Sequence, residues 1–160
     1  MSPCVWFESQ AEEAAKFYVS TFKNSKILNT ARYDKESAKV SGRPEGSVLT
    51  VTFNLDGNEF MALNGGPVFK LTPAISFIMY CETQSEIDKL WNTLSSNGGK
   101  PGQCGWVEDK FGVSWQIVPT MLGKLMGQGD SKKTQRMMGA LMQMNKLDIA
   151  ALQNAYDGKA

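Results

Sequence analysis

Alternating apolar and polar residues predict a β-hairpin near the middle of the chain. Residues 48–55 (VLTVTFNL) have a period of two, which is typical of a strand whose two faces meet different surroundings. The pair Asp56-Gly57 is a strong signal for a tight turn, and the apolar run at 60–63 supplies the return strand. The pattern therefore predicts a hairpin with one face turned toward a core.

A helical pattern precedes this hairpin. From Ala11 to Phe22, apolar residues recur at i, i+3, i+4, i+7, i+8 and i+11, which places them on one helix face. The short apolar run at 3–8 predicts a strand before this helix, and residues 25–34 predict another after it. Residues 35–46 are polar and contain glycine and proline, so they are predicted to form a loop.

The same order of elements begins again in the second half of the chain. Residues 74–81 predict a strand, 85–97 predict a helix, and 104–118 predict a second hairpin around the turn 109–112. Asp109 is expected at the exposed tip of that turn. Such self-similarity predicts a duplicated structural unit.

The two copies also share a detail of their hairpins. An aromatic residue, Phe60 or Trp115, lies three residues after the turn glycine in each copy. The stretch between helix and turn is shorter in the second copy. The sequence thus predicts module 1 at 3–66 and a shortened module 2 at 73–119.

The remaining segment, 120–160, is rich in methionine and has helical periodicity. Asp130 or Ser131 can cap one helix and Asp148 another. We expect a helical tail that packs on the domain or on a dimer partner. The alternative is an arm that binds a partner or a membrane surface, but the tail lacks the dense basic face of such helices.

Composition narrows the possible chemistry. The 160 residues include no histidine, which excludes Ser-His-Asp and Cys-His nucleophiles and metal sites that need imidazole. A net charge of +1 argues against nucleic acid and anionic membranes as main partners.

Three cysteines without a CxxC pair indicate neither a disulfide framework nor a zinc site. With no signal-peptide pattern and no long apolar run, we expect a cytoplasmic protein.

Three runs of sequence carry a family resemblance: CVWFESQAEEAAKFY, FNLDGNEFMALNGGPVF and CGWVEDKFGVSWQIVP. In them the chain resembles the PhnB-like branch of the glyoxalase/bleomycin-resistance (vicinal oxygen chelate) superfamily, often labelled 3-demethylubiquinone 3-methyltransferase-like. The runs cover most of 3–119. The resemblance implies an α+β fold in which two βαβββ modules form curled mixed sheets around a cleft. It also implies a homodimer.

Enzymes of this superfamily hold a divalent metal with histidine and glutamate ligands from four strands. The resemblance assigns these positions to Pro3, Met61, a residue within 74–78, and Gln116. None of them offers an ordinary ligand for a divalent ion, so we predict that the metal site is lost and that no cofactor is bound. No GxGxxG lies between a strand and a helix, so we also expect no binding of S-adenosylmethionine.

The resemblance places Gln116 in the cleft, and strand alternation then predicts the rest of the wall. Trp6, Trp106 and Trp115 are expected in the core, with a role as stacking platforms for a ligand as the alternative. The two threonines of the first hairpin could instead face solvent. Asn64-Gly65-Gly66 is either a simple turn or a backbone nest for an anion. The candidate ligand-binding residues are Phe7, Thr50, Thr52, Met61, Asn64, Gln103, Ser114 and Gln116.

These observations predict a metal-free protein that binds a small molecule, with the substrate left open. The mostly apolar wall with a few neutral polar groups is typical of a small-molecule cavity. The alternative is a lyase, dioxygenase or transferase with a divergent active site, in which Glu8, Glu59 or Glu108 would do acid–base work. A third possibility is an interaction module built on the tail. No catalytic residue is assigned.

Overall fold

A computed structural model describes residues 1–159 of the chain. They form two units, unit 1 from Met1 to Leu71 and unit 2 from Thr72 onward. Each unit contains a four-stranded mixed sheet, and the two sheets have the same strand order. The predicted α+β class with a duplicated module is therefore confirmed. None of the helices in residues 1–159 is long and apolar enough to cross a membrane.

In unit 1 the sheet order is β1-β4-β3-β2, with β1 parallel to β4 and the other pairs antiparallel. The elements of unit 1 are β1 (Cys4–Phe7), α1 (Ala11–Thr21), β2 (Lys26–Arg32), α2 (Lys35–Ser41), β3 (Val48–Leu55) and β4 (Asn58–Asn64). The turn between β3 and β4 has positive φ at Asp56 (47°) and Gly57 (88°). Positive φ at both central residues is the conformation of a type I′ hairpin turn, as the sequence predicted.

Helix α1 packs on one face of this sheet. Its Ala11, Ala14 and Ala15 are fully buried, and these small side chains allow a close approach to β3 and β4. The ring of Tyr18 lies 6.1 Å from that of Phe53. Burial of this apolar face is the main favourable contribution to the stability of the unit.

Helix α2 is a correction to the loop predicted over 35–46. The Asp34 carboxylate accepts a hydrogen bond from Ser37 N at 2.8 Å, and Ser37 Oγ accepts one from Asp34 N at 3.0 Å. Gly42 ends the helix with a φ of 69°. Ala38 is the only buried residue of α2. The helix depends on this reciprocal capping rather than on an apolar face, so hydrophobic periodicity could not reveal it.

In unit 2 the order β5-β8-β7-β6 repeats that of unit 1, with β5 parallel to β8. Its elements are β5 (Phe77–Cys81), α3 (Gln84–Leu94), β6 (Lys100–Pro101), β7 (Trp106–Glu108), β8 (Ser114–Pro119), α4 (Thr120–Met126), α5 (Ser131–Leu141) and α6 (Ile149–Asp157). The predicted shortening is found in β6, which has only two residues. The core of this sheet includes Val107, Trp115 and Ile117, each no more than 1% exposed.

Asp109 is not at an exposed tip, which corrects the prediction. Its side chain is 1% exposed and turns back into the hairpin. Oδ1 accepts hydrogen bonds from the backbone N–H groups of Phe111 and Val113, and Oδ2 accepts one from Trp115 Nε1 at 2.9 Å. Burial of this carboxylate is tolerated because these donors replace its hydration.

The helical tail belongs to unit 2. Its apolar residues form a cluster that includes Met137, Leu147 and Leu152, with Cys104 packed against it. Gln84 at the start of α3 donates to Leu147 O at 3.1 Å and accepts from Ile149 N at 2.9 Å. Asp130 and Asp148 are the N-caps of α5 and α6. Met137 in this cluster, with Met121, Met138 and Met144 packed against it, therefore contributes to an internal core.

Candidate functional site

The orientation of β1 differs from the prediction. Val5 and Phe7 are 7% and 3% exposed, and they lie in register with Ala62 and Asn64. Neighbours in register share a sheet face, so both side chains lie on the face covered by α1. The prediction that Phe7 lines the cleft while Trp6 packs under the helix is therefore wrong. The run CVWF is apolar throughout, so alternation could not distinguish its two faces.

The opposite face of this sheet carries most of the predicted site residues of unit 1. We define the far face of unit 1 by two rows across the strands. One row is Cys4, Met61 and Thr52, and the other is Trp6, Leu63 and Thr50. All except Cys4 are half-buried. Cys4 is exposed as a residue, but its thiol is partly shielded from water. This desolvation raises the pKa of the thiol and favours its neutral form.

The position of Trp6 on this face is fixed by neighbouring backbone. Its Nε1 donates to Gly66 O at 2.8 Å, and its ring meets that of Phe69 edge-on at 4.9 Å. A Cβ at Gly65 would lie 2.1 Å from the indole, so only glycine fits under the ring. The far face of unit 1 thus includes an aromatic surface that the sequence analysis assigned to the core.

The corresponding far face of unit 2 is centred on Gln116. Its flanking partners in register are Ile78 and Trp106, and the next row contains Tyr80 and Val118. Gln116 Nε2 donates to Ser76 Oγ at 2.9 Å. This arrangement corrects the predicted core position of Trp106. Val107, the next residue of β7, is on the opposite face and in the core.

Of the other predicted residues of unit 2, Ser114 lies on the same face of β8, one row from Gln116, whereas Gln103 does not. Ser114 is 5% exposed and lies beside Glu108 in the register of β7 and β8. Gln103 is exposed and belongs to the turn before β7, so it is not part of the wall. That turn is bonded to the tail, since Cys104 N donates to Met144 O at 2.7 Å. The strand predicted from residue 104 begins only at Trp106 because the tail binds the preceding backbone.

Asn64 has a structural role inside unit 1. Its side chain is buried, with Oδ1 accepting from Ala11 N at 2.8 Å and Nδ2 donating to Val48 O at 3.0 Å. It therefore caps the first turn of α1, which has no side-chain cap of its own. Its backbone carbonyl accepts from the Tyr33 hydroxyl at 2.8 Å. Contact with a ligand would compete with all of these interactions.

The donor atoms on the two far faces do not fit a divalent metal. The central positions hold the thioether of Met61 and the amide of Gln116, while Pro3 offers only a carbonyl that accepts from Met61 N. Zinc, iron, nickel and manganese need thiolate, imidazole or carboxylate donors. Within residues 1–159, no three of the residues Cys, Asp and Glu come together as a possible metal site.

Two of the three carboxylates considered for acid–base work lie on the same sheet faces as the central rows, one row beyond them. Glu59 pairs with Asn54 next to the Met61 row, and Glu108 pairs with Ser114 next to the Gln116 row. Glu59 is exposed and accepts from Ser2 Oγ at 3.3 Å. Glu108 forms an ion pair with Lys100 at 2.7 Å. Glu8 is exposed after the end of β1. None has the buried environment that tunes a general acid or base.

Comparison with known proteins now gives the family. The family model described as 3-demethylubiquinone-9 3-methyltransferase matches residues 1–118. The chain belongs to this family. The 3-demethylubiquinone-9 3-methyltransferase family match spans the whole of unit 1 and the sheet of unit 2, and it stops where the helical tail begins. Among curated proteins, none matches the chain.

Solved structures agree with this family and its fold. The PhnB protein from Bacillus cereus is 36% identical, with a TM-score of 0.66 over 75% of this chain and 98% of that one. A protein from Pseudomonas aeruginosa is 17% identical, with a TM-score of 0.59 over 74% and 96%. The Listeria monocytogenes fosfomycin resistance protein FosX, solved with Mn(II) and sulfate, is 10% identical, with a TM-score of 0.54 over 79% and 94%. The last two likenesses show the fold alone.

Proposed function

We propose that this member of the family is a metal-free protein that binds a small, neutral, mostly apolar molecule. The main support is the matching pair of central rows, Cys4–Met61–Thr52 in unit 1 and Ile78–Gln116–Trp106 in unit 2. Each row combines an apolar surface with a neutral hydrogen-bonding group and no carboxylate. Such a surface favours an uncharged ligand, because it offers no partner for a buried charge.

The side chains also suggest the shape of the ligand. Trp6 and Trp106 offer flat aromatic surfaces, and the sulfur of Met61 packs well against aromatic rings. Within each unit one polar group can hydrogen-bond an oxygen substituent of a flat ring: the Thr52 hydroxyl in unit 1 and the Gln116 amide in unit 2. The family description names a demethylubiquinone, which is a flat ring with oxygen substituents. A flat, uncharged ring molecule of that kind, such as a quinone, is the ligand class that we propose.

The test is binding of a short-chain, fully substituted ubiquinone, measured by calorimetry and by thermal denaturation. We expect saturable binding and a rise in melting temperature, since a ligand that binds only the folded state stabilises it. Thr52→Val should weaken binding about five- to tenfold, the usual effect of one lost hydrogen bond. Thr30→Val is the matched control, because Thr30 lies on β2 in register with Val51 and outside the far face. Absence of binding, or equal losses in both variants, would contradict the proposal.

The metal-free part of the proposal has a separate measurement. Elemental analysis of the purified protein should find no zinc, nickel, iron or manganese near one ion per chain. A stoichiometric ion that survives dialysis would reject this part. Titration with S-adenosylmethionine should release no heat, because the chain lacks the glycine-rich turn between a strand and a helix that binds dinucleotide-type cofactors.

The proposal includes the homodimer and the cytoplasmic location expected from the sequence. Sedimentation equilibrium measures the oligomeric state. Microscopy of a tagged copy in the host shows the location in the cell. For the enzymatic alternative, the substitutions Glu8→Gln, Glu59→Gln and Glu108→Gln would test any activity that is found. An unchanged rate in all three would exclude carboxylate acid–base catalysis by these residues.

A further inference from the structure

Unit 1 contains a cavity that is separate from its far face. Its volume is about 430 Å³, and it is formed by the start of α1, the end of β2 and the segment after α2. Its polar lining includes Ser9, Glu12, Arg32, Arg43 and Ser47. Volumes of this size hold a small metabolite rather than a single ion. None of the six residues that define the far face of unit 1 contributes to it.

Two guanidinium groups line this cavity, and both are held in place by backbone carbonyls. Arg32 Nη1 donates to Gly46 O at 3.0 Å, and Arg43 Nη2 donates to Glu8 O at 2.9 Å. A Cβ at Gly66 would lie 2.5 Å from Arg43 Nη2, so the backbone there is kept clear for the guanidinium. Each guanidinium therefore has a fixed position while most of its N–H donors remain available.

Neither arginine has a carboxylate partner within residues 1–159. The one acidic group in the lining, Glu12, is paired with Lys16 at 2.7 Å. The hydrogen bond and charge of Lys16, with a smaller contribution from the charge of Arg32, lower the pKa of Glu12. Because Glu12 is already paired with Lys16, the two guanidinium groups leave the cavity wall with a net positive charge.

The other hydroxyl groups show which donors are available. Ser47 Oγ donates to Pro44 O at 2.6 Å and the Tyr33 hydroxyl donates to Asn64 O, so both protons are already used. The hydroxyl of Ser9 has no hydrogen-bond partner in the part of the chain that the structure describes. The available donors are thus the two guanidinium groups and Ser9, a set that matches the oxygens of an anion.

We propose that this cavity binds a small organic anion through Arg32 and Arg43, with a carboxylate or phosphate group between the two guanidiniums. Planar guanidinium groups bind both kinds of oxyanion through paired hydrogen bonds. The site goes beyond the proposed neutral ligand of the far face and is independent of it. Either site can fail its test without affecting the other.

The experiment uses the full chain and two probes, inorganic phosphate and citrate, at constant ionic strength with chloride as the reference anion. Amide chemical shifts report binding at the cavity. We expect saturable shifts at Ser9 and Ser47 with at least one probe. Phosphate alone would indicate a phosphorylated ligand, citrate alone a carboxylated one, and either result supports the proposal. No saturable shift with either probe would overturn it.

Variants then locate the binding. Arg32→Gln and Arg43→Gln should each weaken anion affinity about tenfold or more, as expected when a charged hydrogen-bonding partner is lost. Lys39→Gln is the matched control, since it removes the same charge from an exposed position on α2 outside the cavity. An equal loss in this control would mean nonspecific charge attraction and would overturn the proposal.

A folding control keeps the test decisive. If circular dichroism shows that Arg43→Gln is unfolded, Arg32→Gln decides the result alone, because its anchor is the exposed Gly46 carbonyl. Ubiquinone binding is measured on the same variant and should be unchanged. Unchanged anion affinity in a folded Arg32→Gln variant would reject the site.

Discussion

Unit 1 and unit 2 have the same strand order but complete the edge of the sheet differently. In unit 1 the last strand in the sheet order, β2, has seven residues and runs along β3. In unit 2 the equivalent strand, β6, has two residues. The backbone beside β7 is bonded instead to the tail, through Cys104 N to Met144 O and Gly105 N to Asn145 O. The backbone at the edge of the sheet is therefore hydrogen-bonded to a full strand in unit 1, and in unit 2 to the connection between two helices of the tail.

The helices that cover the two sheets also start differently. The N-terminus of α3 is capped by its own neighbours, Thr83 and Glu86, in a reciprocal capping box. The N-terminus of α1 has no such local cap, and Asn64 at the end of β4 caps it instead. The first arrangement depends on local sequence and the second on a completed sheet. The two units should therefore respond differently to equivalent substitutions.

The largest effect is expected where the tail meets the shortened edge. Leu147 is 1% exposed, and a Cβ at Gly105 would lie 3.1 Å from its side chain. Leu147→Ala should destabilise the chain by about 3 kcal/mol, the usual result of a cavity in a core. Hydrogen exchange should speed up at the amides of Cys104 and Gly105 and stay unchanged in β2. Met126→Ala, at a side chain that is 48% exposed and outside the tail cluster, is the control. Equal loss of protection in β2 would contradict the separation of the two units.

The two hairpin turns give the next comparison. Asp109→Asn should cost about 2 kcal/mol, because an amide cannot accept at both ends and would point a donor at a backbone N–H or at Trp115 Nε1. The equivalent change Asp56→Asn, at an exposed turn residue, should stay within about 0.5 kcal/mol. Urea denaturation measures both changes. Similar values for the two variants would mean that the buried carboxylate is not needed.

The two helix caps should differ by a smaller amount. Asn64→Ala removes two buried hydrogen bonds, to Ala11 N and Val48 O, and should cost about 2 kcal/mol. Thr83→Ala removes a more exposed cap and should cost about 1 kcal/mol. Urea denaturation of the two variants under the same conditions gives the comparison. A larger loss for Thr83→Ala would show that the local cap is the more important one.

The smallest effect concerns α2, which unit 2 lacks. Hydrogen bonds from the Ser37 hydroxyl and then from its backbone N–H lower the pKa of Asp34. Because the pKa of Asp34 is lower in the folded than in the unfolded chain, the cap stabilises α2 fully at pH values above the unfolded-state pKa, which is near 4. This stabilisation is lost as the pH falls through the folded-state pKa. Amide exchange at Ser37 and Ala38 should therefore become less protected on acidification below about pH 4. Asp34→Asn, which caps without titrating, should not show this loss.

The parts of the fold that follow from sequence are those with a local signal. The period of two in β3, the Asp56-Gly57 turn and the apolar face of α1 each predict their element directly. The far-face positions of Met61 and Gln116 were predicted through the family resemblance, and strand alternation then gave that of Thr52, with solvent as its alternative.

The errors arose where distant contacts determine the outcome. The register between β1 and β4 decides which side of β1 is buried, and an all-apolar run such as CVWF does not encode it. Asp109 is buried because Trp115 offers an indole N–H beside the turn. Gln103 lies outside the sheet because the backbone that follows it, at Cys104 and Gly105, is bonded to Met144 and Asn145 far along the chain. The contacts of β1 and of the turn after Gln103 have no local sequence signature, whereas those of Asp109 lie within its own hairpin and were missed for lack of a rule linking the turn to Trp115.

The bond between Gln84 and the tail has a consequence for the order of folding during synthesis. Every strand of unit 1 is complete once residue 64 has left the ribosome, so this unit can fold while the rest is still being made. Unit 2 begins soon afterwards, but Gln84 must wait for Leu147 and Ile149 before its side chain is bonded at both ends. The second half of the chain therefore stays open to chaperones or premature contacts until almost the last residues emerge.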